Sequence, residues 1–347
     1  MSLDPNKLIE DYDRENFLRW LEEFPDQVKK ACELGSSFSG IKQTPQALLV
    51  GGMGGSGISG DLVAAYTRDS SSVAVHTVRN YKLSAWVDSA HLFCAVSYSG
   101  NTEETLSLYE DAAERGCDLL AVTGGGKLLK KAKKSRQPFI KIPSGQPPRA
   151  SAPYLFIPLI YVLASGELTR VPSPSARKEA KSELNKITAE LAPDRPDNFA
   201  LALASKINGK TPVIYGSAGM TGTLGLRLKN QFNENAKMMA FANELPELNH
   251  NEIMGWEQLQ ENPEDYIAIF LRDTGEHERV KKRFSISREI ISDSVSEVVD
   301  VRSRGESLFS RFLSLMLLTD YISYYTALFR QKDPSSIENI EALKTRL

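Results

Sequence analysis

The sequence predicts an α/β protein of two domains, each a doubly wound, mainly parallel β-sheet flanked by helices. The chain has 347 residues, which is about two domains at the usual domain size, and 41% of them are hydrophobic, enough for a sizeable core. β-rich runs alternate with helix-like segments, the pattern of parallel strands joined by right-handed crossover helices. A strand, a glycine-rich turn and a helix open both halves of the chain, which indicates a duplicated unit.

The first half begins with about forty residues of amphipathic helical pattern. Further helices are expected at 105–115 and at 153–164, and the longest apolar stretch, 155–164, is shorter than the ~20 residues that span a bilayer. The Pro- and Ser-containing stretch 170–175 predicts a linker, so the first domain is placed at residues 1–168, with the N-terminal helical extension included. Strands are expected at 47–50, 72–78, 92–96, 119–122 and 139–142.

The second domain is placed at residues 169–347 and begins with an exposed, charged helix. A glycine turn at 216–222 follows its first strand and leads into a helix that ends near residue 232. A long helix at 308–330 and a short last helix after Asp333 and Pro334 are expected to close the chain. The strands of this half are expected at 211–215, 237–241, 266–271 and 297–301.

Composition and charge exclude several classes of protein. Forty-two Lys and Arg against 44 Asp and Glu give a formal charge of −2, without the basic footprint of a nucleic-acid or anionic-membrane binder. Cys32, Cys94 and Cys117 form no close-spaced pair, and the four histidines lack metal-ligand spacing. The N-terminal residues show no secretory pattern. We therefore expect a cytoplasmic protein that uses no metal and binds neither nucleic acid nor membrane.

A glycine-rich loop follows the first predicted strand. Residues 52–57 satisfy the G-x-G-x-x-G fingerprint of dinucleotide-binding folds, whereas a P-loop is excluded because the turn contains no Gly-Lys-Ser or Gly-Lys-Thr. The Asp or Glu that should end the next strand is missing, and Arg79 stands there instead. Because an arginine can hold a 2′-phosphate, an NADP-dependent reductase stays open as an alternative.

A second polar loop follows the third predicted strand. Asn101, with Glu104 three residues later, is expected to cap the next helix, whose free N–H groups and dipole favour a dianion. Ser97, Ser99 and Thr102 add hydroxyl groups. These hydroxyls can serve merely as helix caps, but two such loops at the carboxyl ends of adjacent strands favour a small phosphorylated ligand.

These loops, residues 50–57 and 97–105, resemble the phosphosugar-binding loops of sugar isomerase (SIS) domains. From about residue 45 to the C-terminus, the chain resembles the bifunctional phosphoglucose/phosphomannose isomerase family, which has two SIS domains in tandem. That assignment depends on four later segments, at 148–154, 233–237, 247–252 and 343–344. The resemblance implies two SIS domains, no cofactor, and a phosphate site formed by Gly55, Ser56, Ser97, Ser99 and Thr102.

The resemblance also implies four catalytic residues. Glu234 would be the base that moves a proton between two carbons, since a carboxylate is competent near neutral pH. Arg149, held in a proline-flanked turn, would stabilise enediolate charge. His250, in a polar turn, would open the sugar ring from a second subunit, and Lys344 would be its ring-opening partner.

The function expected from these residues is the interconversion of glucose 6-phosphate, and of mannose 6-phosphate, with fructose 6-phosphate through a cis-enediolate. The active form would be a homodimer, because His250 would cross the subunit interface. A non-catalytic SIS module that senses a phosphosugar remains an alternative, since it needs the serine and threonine loops but neither Glu234 nor His250.

Overall fold

A computed structural model describes residues 4–38, 40–41 and 43–346 of the chain. Part of the expectation about the N-terminus falls on residues 1–3, which lie outside the described residues. The strands are β1 Ala47–Gly51, β2 Ala74–Val78, β3 Leu92–Ser97, β4 Asp118–Thr123, β5 Phe139–Lys141, β6 Thr211–Ser217, β7 Phe241–Leu245, β8 Tyr266–Arg272 and β9 Val298–Arg302.

Helices connect these strands and also flank them. The α-helices are α1 Pro5–Tyr12, α2 Phe17–Glu22, α3 Phe24–Ser36, α4 Gly54–Thr67, α5 Glu103–Glu114, α6 Gly126–Lys134, α7 Ala152–Ser165, α8 Pro174–Glu190, α9 Phe199–Ile207, α10 Met220–Glu234, α11 Glu278–Ile291, α12 Leu308–Phe329 and α13 Glu338–Lys344. Short 3₁₀ helices lie at Pro148–Ala150, Glu247–His250, Glu252–Glu261, Pro263–Asp265 and Ser292–Ser294.

Two separate parallel sheets confirm the predicted fold class. The first has the strand order β2-β1-β3-β4-β5 and the second the order β7-β6-β8-β9, with every adjacent pair parallel. β1 and β3 are buried along their whole length, as strands covered on both faces should be. The glycine turns that follow β1 and β6 therefore lie at the carboxyl edges of their sheets, where open α/β sheets bind ligands.

The strand predicted at 237–241 is wrong, since β7 begins only at Phe241. Lys237 has a φ of 50°, a left-handed conformation that cannot continue a strand. Pairing with β6 starts where Phe241 faces Val213. The other predicted strands are confirmed with shifts of one or two residues at their ends, as are the helices expected at 105–115, 153–164 and 308–330.

The chain divides into two compact units. The first-sheet unit comprises residues 24–177, and the second-sheet unit comprises residues 178–346 with residues 4–23. The N-terminal residues group with the second sheet because Tyr324 on α12 donates a hydrogen bond to Asp13 (2.9 Å) and stacks on Phe17. The predicted domain division after residue 168 stays a prediction, because contacts within the folded chain do not show which segment folds by itself.

The core of the second-sheet unit is built around α12. This helix of 22 residues is long and apolar enough to cross a membrane by length and composition alone, but 94% of its most apolar stretch is buried within the structure. Asp320 in the middle of α12 forms a buried ion pair with Arg227 of α10. α12 is therefore a core helix that fastens α10 in place.

Candidate active site

The first loop brings the start of α4 directly against the ends of β1 and β3. A Cβ at Gly52 would lie 2.7 Å from the carbonyl oxygen of Val96, and one at Gly57 would lie 2.5 Å from the carbonyl oxygen of Gly52. Glycine is required at both positions by this close backbone approach. Arg79, offered above as a 2′-phosphate ligand, instead pairs with the carboxylate of Asp61 on α4, which disfavours a further anion there. Packing, without a dinucleotide, thus accounts for the first and last glycines of the fingerprint.

The second loop is stabilised by its own hydroxyl groups. Ser97 is fully buried, and its Oγ lies 2.9 Å from the hydroxyl of Thr102 and accepts a hydrogen bond from the backbone N–H of Gly100. The exposed Ser99 accepts a hydrogen bond from the backbone N–H of Asn101 through its Oγ (3.2 Å). The three hydroxyls expected to bind phosphate therefore lie in one short turn before α5.

The expected cap by Asn101 is wrong. The N-cap residue of α5 is Thr102, whose side chain makes no capping hydrogen bond to the helix, and Glu104 lies within the first turn. The amide oxygen of Asn101 instead accepts a hydrogen bond from the backbone N–H of Lys127 at the start of α6 (3.0 Å). A long-range donor thus takes the amide oxygen of Asn101 away from the local cap, while the N-terminus of α5 keeps its dipole for an anion.

The two loops are joined to each other. The backbone N–H of Tyr98 donates a hydrogen bond to Oγ of Ser56 in the first turn of α4 (3.1 Å), and Ser56 is buried. Gly55 and Ser56 from the first loop and Ser97, from the second, therefore belong to one connected region of the first-sheet unit. The predicted phosphate residues are brought together as a group.

Arg149 belongs to the same region. It lies in the 3₁₀ helix Pro148–Ala150, and its side chain is buried, with only 6% of the residue exposed. A Cβ at Gly55 would lie 3.1 Å from the carbonyl carbon of Pro148 and 3.2 Å from the backbone nitrogen of Arg149. The first phosphate loop therefore packs directly on the backbone of the arginine turn.

Glu234, in the second-sheet unit, is the last residue of α10. The segment that follows it is fastened by the ammonium group of Lys237, which donates hydrogen bonds to the backbone carbonyls of Glu234 (2.8 Å), Asn235 (3.2 Å) and Asp333 (2.6 Å). Asp333 begins the segment that leads to α13. A single cation thus fixes the end of α10 and holds the C-terminal segment beside Glu234.

Lys344 and His250 lie on exposed elements of the same unit. Lys344 is the last residue of α13, whose described residues are all exposed. His250 ends the 3₁₀ helix Glu247–His250 and is exposed. The neighbouring Asn249 is anchored to α11 by hydrogen bonds with Arg283 and Ser287.

Within one chain the second sheet separates His250 from Glu234. α10 covers the face of Ile214, against which Gly225 packs. The segment around His250 covers the opposite face, where Leu248 packs in one cluster with Tyr215 and Phe270. Because successive side chains of a strand point to opposite faces, Ile214 and Tyr215 mark the two sides of the sheet. The structure therefore does not bring Glu234 and His250 of the same chain together.

Comparisons with known proteins identify the family of this chain. Residues 196–347 match the family model described as the bacterial phospho-glucose isomerase C-terminal SIS domain. Over 331 residues the chain is 39% identical to the bifunctional phosphoglucose/phosphomannose isomerase of Caldicellulosiruptor bescii, covering 93% of this chain and 96% of that protein. The chain belongs to the bifunctional phosphoglucose/phosphomannose isomerase family.

A further relative and a solved structure also match the chain. A D-glucosamine-6-phosphate 4-epimerase of Sulfolobus acidocaldarius is 33% identical over 262 residues, covering 73% of this chain and 75% of that protein. The solved C-terminal domain of glucosamine-fructose-6-phosphate aminotransferase from Francisella tularensis shares the fold, with a TM-score of 0.71 at 15% identity, and the match covers 92% of this chain and 98% of that one.

In this member of the phosphoglucose/phosphomannose isomerase family, the structure shows contacts of three residues to which the sequence assigned no role. Lys237 occurred in the segment that identified Glu234, but only the fold shows that it binds three carbonyl oxygens. Tyr98 and Gln146 are in contact, since the backbone N–H of Gln146 donates to the Tyr98 hydroxyl (3.1 Å). In the sequence, the sign that Tyr98 belongs to this region is its position between Ser97 and Ser99.

Metal chemistry was excluded above on sequence grounds. Among the residues that the structure describes, no group of three or more His, Cys, Asp or Glu side chains is placed to hold a metal ion. Cys32, Cys94 and Cys117 are buried free thiols. The expectation of a metal-independent isomerase of this family stays a prediction that a chelator tests.

Proposed function

We propose that this protein interconverts glucose 6-phosphate and mannose 6-phosphate with fructose 6-phosphate. The observation that carries the proposal is the joined cluster in the first-sheet unit. There the Ser56 hydroxyl of the first loop accepts a hydrogen bond from the backbone N–H of Tyr98 in the second loop, where the Ser97 and Thr102 hydroxyls lie 2.9 Å apart. The buried Arg149 turn packs on Gly55. Hydroxyl groups, two helix N-termini and a guanidinium suit a sugar phosphate. The names of the family relatives supply the substrate.

The reaction divides among the residues as follows. The phosphate is held by Gly55, Ser56, Ser97, Ser99 and Thr102, which anchors the far end of the sugar. Glu234 removes the C2 proton of the open-chain aldose, and the electron pair moves to form a cis-enediolate whose negative charge faces Arg149. A proton moves from O2 to O1 of the enediolate, and Glu234 then returns its proton to C1, giving the ketose. Both C2 epimers give the same planar enediolate, but their C2 hydrogens lie on opposite faces of it, so one base serves both aldoses if the enediolate turns about its C2–C3 bond.

Ring opening requires a proton to move between the C1 hydroxyl and the ring oxygen, and His250 with Lys344 performs it in this proposal. Since the sheet separates His250 from Glu234 in one chain, we infer that each active site takes His250 from a second copy. Large exposed apolar side chains near this region support an interface between copies: Leu226, Met239, Phe241 and Met254. The groove beside them has a volume of about 500 Å³. The functional unit would be a homodimer.

The buried cysteines indicate the cellular compartment, and ligand binding separates the isomerase from the alternative functions. Three buried free cysteines are typical of a reducing compartment, which supports a cytoplasmic enzyme. The non-catalytic sensor finds no support in the family relatives. A sensor would also bind phosphosugars without exchanging their C2 hydrogen with solvent. A reductase would be stabilised by NADP(H), whereas the proposed isomerase would not.

A coupled assay with glucose 6-phosphate and mannose 6-phosphate, side by side in EDTA, tests the proposal. We expect activity on both substrates, and deuterium entering from D₂O at C2 of the aldose. Glu234→Gln should lower kcat by ~10²-fold or more, as loss of a positioned base does. Turnover within about tenfold of the wild type would contradict the role of Glu234. Inactivity on both aldoses, with binding retained, would favour the sensor, and turnover of glucosamine 6-phosphate alone would favour an epimerase.

A further inference from the structure

The side chain of Gln146 contacts the turn that carries Arg149. Nε2 of Gln146 donates a hydrogen bond to the carbonyl oxygen of Ala150 (3.2 Å), the residue directly after Arg149. The same amide group contacts Oε1 of the buried Gln27 (3.3 Å). Within the turn, Ser151 donates to the carbonyl oxygen of Pro147 (3.0 Å). Gln146 therefore connects the arginine turn to the rest of the first-sheet unit.

Gln146 is in turn held by the second phosphate loop. Its backbone N–H donates to the phenol oxygen of Tyr98 (3.1 Å). The backbone of Tyr98 is fixed at both ends, since its N–H binds Oγ of Ser56 and its carbonyl oxygen accepts a hydrogen bond from Gly124 (3.0 Å). A continuous series of hydrogen bonds thus runs from Ser56 through Tyr98 and Gln146 to the residue that follows Arg149.

We propose that Tyr98 and Gln146 are positioning residues that hold Arg149 in its reactive orientation when a phosphate occupies the loops. This inference rests on the proposed function, in which Arg149 stabilises the enediolate. Oxyanion stabilisation depends on a donor that is already oriented before charge develops. A phosphate held by the loops that contain Ser56 and Tyr98 is thereby connected, through these hydrogen bonds, to the arginine turn. The remote phosphate group of the substrate thereby contributes to kcat as well as to binding.

Tyr98→Phe is the sharpest perturbation, because it removes one oxygen and leaves the backbone contacts of Tyr98 in place. We expect kcat to fall about tenfold with KM within about twofold, which is the effect of one lost hydrogen bond expressed in the transition state. Gln146→Met should act in the same direction through the other end of the series. Tyr109→Phe is the control: its buried phenol oxygen, in the same unit, makes no hydrogen bond to the residues that the structure describes, and kcat should be unchanged.

Two ligands separate positioning from general loosening of the site. Glucitol 6-phosphate carries the phosphate without an enediolate charge, and 5-phosphoarabinonate carries a carboxylate where the enediolate charge forms. By calorimetry, Tyr98→Phe should bind glucitol 6-phosphate within about twofold of the wild type and the arabinonate about tenfold more weakly. Because the two residues act in series, the double variant with Gln146→Met should be no worse than the more impaired single variant.

Equal losses for both ligands would overturn the inference, because Tyr98 would then support the phosphate loops alone. An unchanged kcat with an unchanged arabinonate affinity in both single variants would also overturn it. Arg149→Ala separates this failure from failure of the proposed function. If Arg149→Ala keeps the arabinonate affinity, the role of Arg149 itself is wrong. If Arg149→Ala loses that affinity while Tyr98→Phe keeps it, only the positioning role is wrong.

Discussion

Replacing Gly100 by alanine tests how the second phosphate loop is packed. Gly100 has a φ of 70°, and an alanine Cβ would overlap the carbonyl oxygen of Gly125, 2.7 Å from its carbonyl carbon and 2.8 Å from Oγ1 of Thr123. Gly145 is the matched position: its φ is 104°, but a Cβ there would meet no atom within 4 Å. The pair isolates the steric overlap from the cost of a left-handed alanine.

The expected loss of unfolding free energy follows from the left-handed backbone conformation and the steric overlap. Both alanines adopt a left-handed conformation, which costs roughly 1–2 kcal/mol. Both also gain about 0.4–1 kcal/mol from a less flexible unfolded chain. Only Gly100→Ala must displace backbone atoms, for which overpacking typically adds about 1–3 kcal/mol. We therefore expect Gly145→Ala to lower the free energy of unfolding by about 1 kcal/mol or less and Gly100→Ala by about 2–4 kcal/mol.

Urea unfolding of both variants, at unchanged m-value, measures this difference. Gly100→Ala should also raise KM for the hexose phosphates, because the N–H of Gly100 binds Ser97 and its carbonyl oxygen accepts a hydrogen bond from Leu128 (2.9 Å). If the two variants differ by less than about 0.5 kcal/mol, the packing of Gly100 against the turn at Gly125 is wrong.

Three further perturbations probe the second-sheet unit. Lys237→Met should destabilise by about 1.5–3 kcal/mol in urea unfolding and lower kcat, since it removes the charged donor shared by three carbonyls beside Glu234. Asp320→Ala should lower the free energy of unfolding by about 3–5 kcal/mol, because it leaves Arg227 buried without its partner. Glu179→Gln should destabilise the protein near neutral pH but not in acid. Burial alone would raise the pKa of Glu179, but hydrogen bonds from the backbone of Glu306 and Ser307 outweigh burial and lower that pKa below its usual 4.5. The stability that the Glu179 carboxylate contributes is therefore lost as the pH falls below the lowered pKa.

Each of these predictions has a control and a result that contradicts it. Lys186→Met changes an exposed lysine and should cost less than about 1 kcal/mol, so an equal effect of Lys237→Met would count against the three-carbonyl contact. Replacing Asp320 and Arg227 together by leucine and methionine should recover much of the loss, and no recovery would contradict a pure ion-pair effect. A stability difference between Glu179→Gln and the wild type that stayed constant from pH 7 to acid would refute the lowered pKa of Glu179.

Local sequence patterns correctly predicted the strands, the long helix and the location of the loops, because these depend on neighbouring residues in the chain. Apolar β-rich runs gave β1 and β3, and the sustained apolar pattern gave α12. Each serine loop followed a strand, so the carboxyl-edge location of the phosphate residues followed from parallel topology. The family resemblance supplied the substrate class, which no spacing of residues could have given.

Contacts between distant residues decided the features that the sequence could not predict. Asn101 has the sequence context of a helix cap, but the backbone N–H of Lys127 competes for its amide oxygen. The run at 237–241 has strand propensity, yet the three carbonyl acceptors of Lys237 fix a left-handed residue there. The burial of Arg149 depends on the approach of Gly55 from a loop almost a hundred residues away. These partners are set by tertiary structure.

Subunit complementation tests the central claim most directly, namely that each active site combines Glu234 of one chain with His250 of another. Glu234→Gln and His250→Ala should each be nearly inactive alone. Unfolding and refolding the two variants together forms hybrid dimers in which one of the two sites has both native residues. With random assortment, the mixture should regain about one quarter of the wild-type activity. A mixture that stays as inactive as its separate components, with hybrid dimers shown to form, would contradict the account.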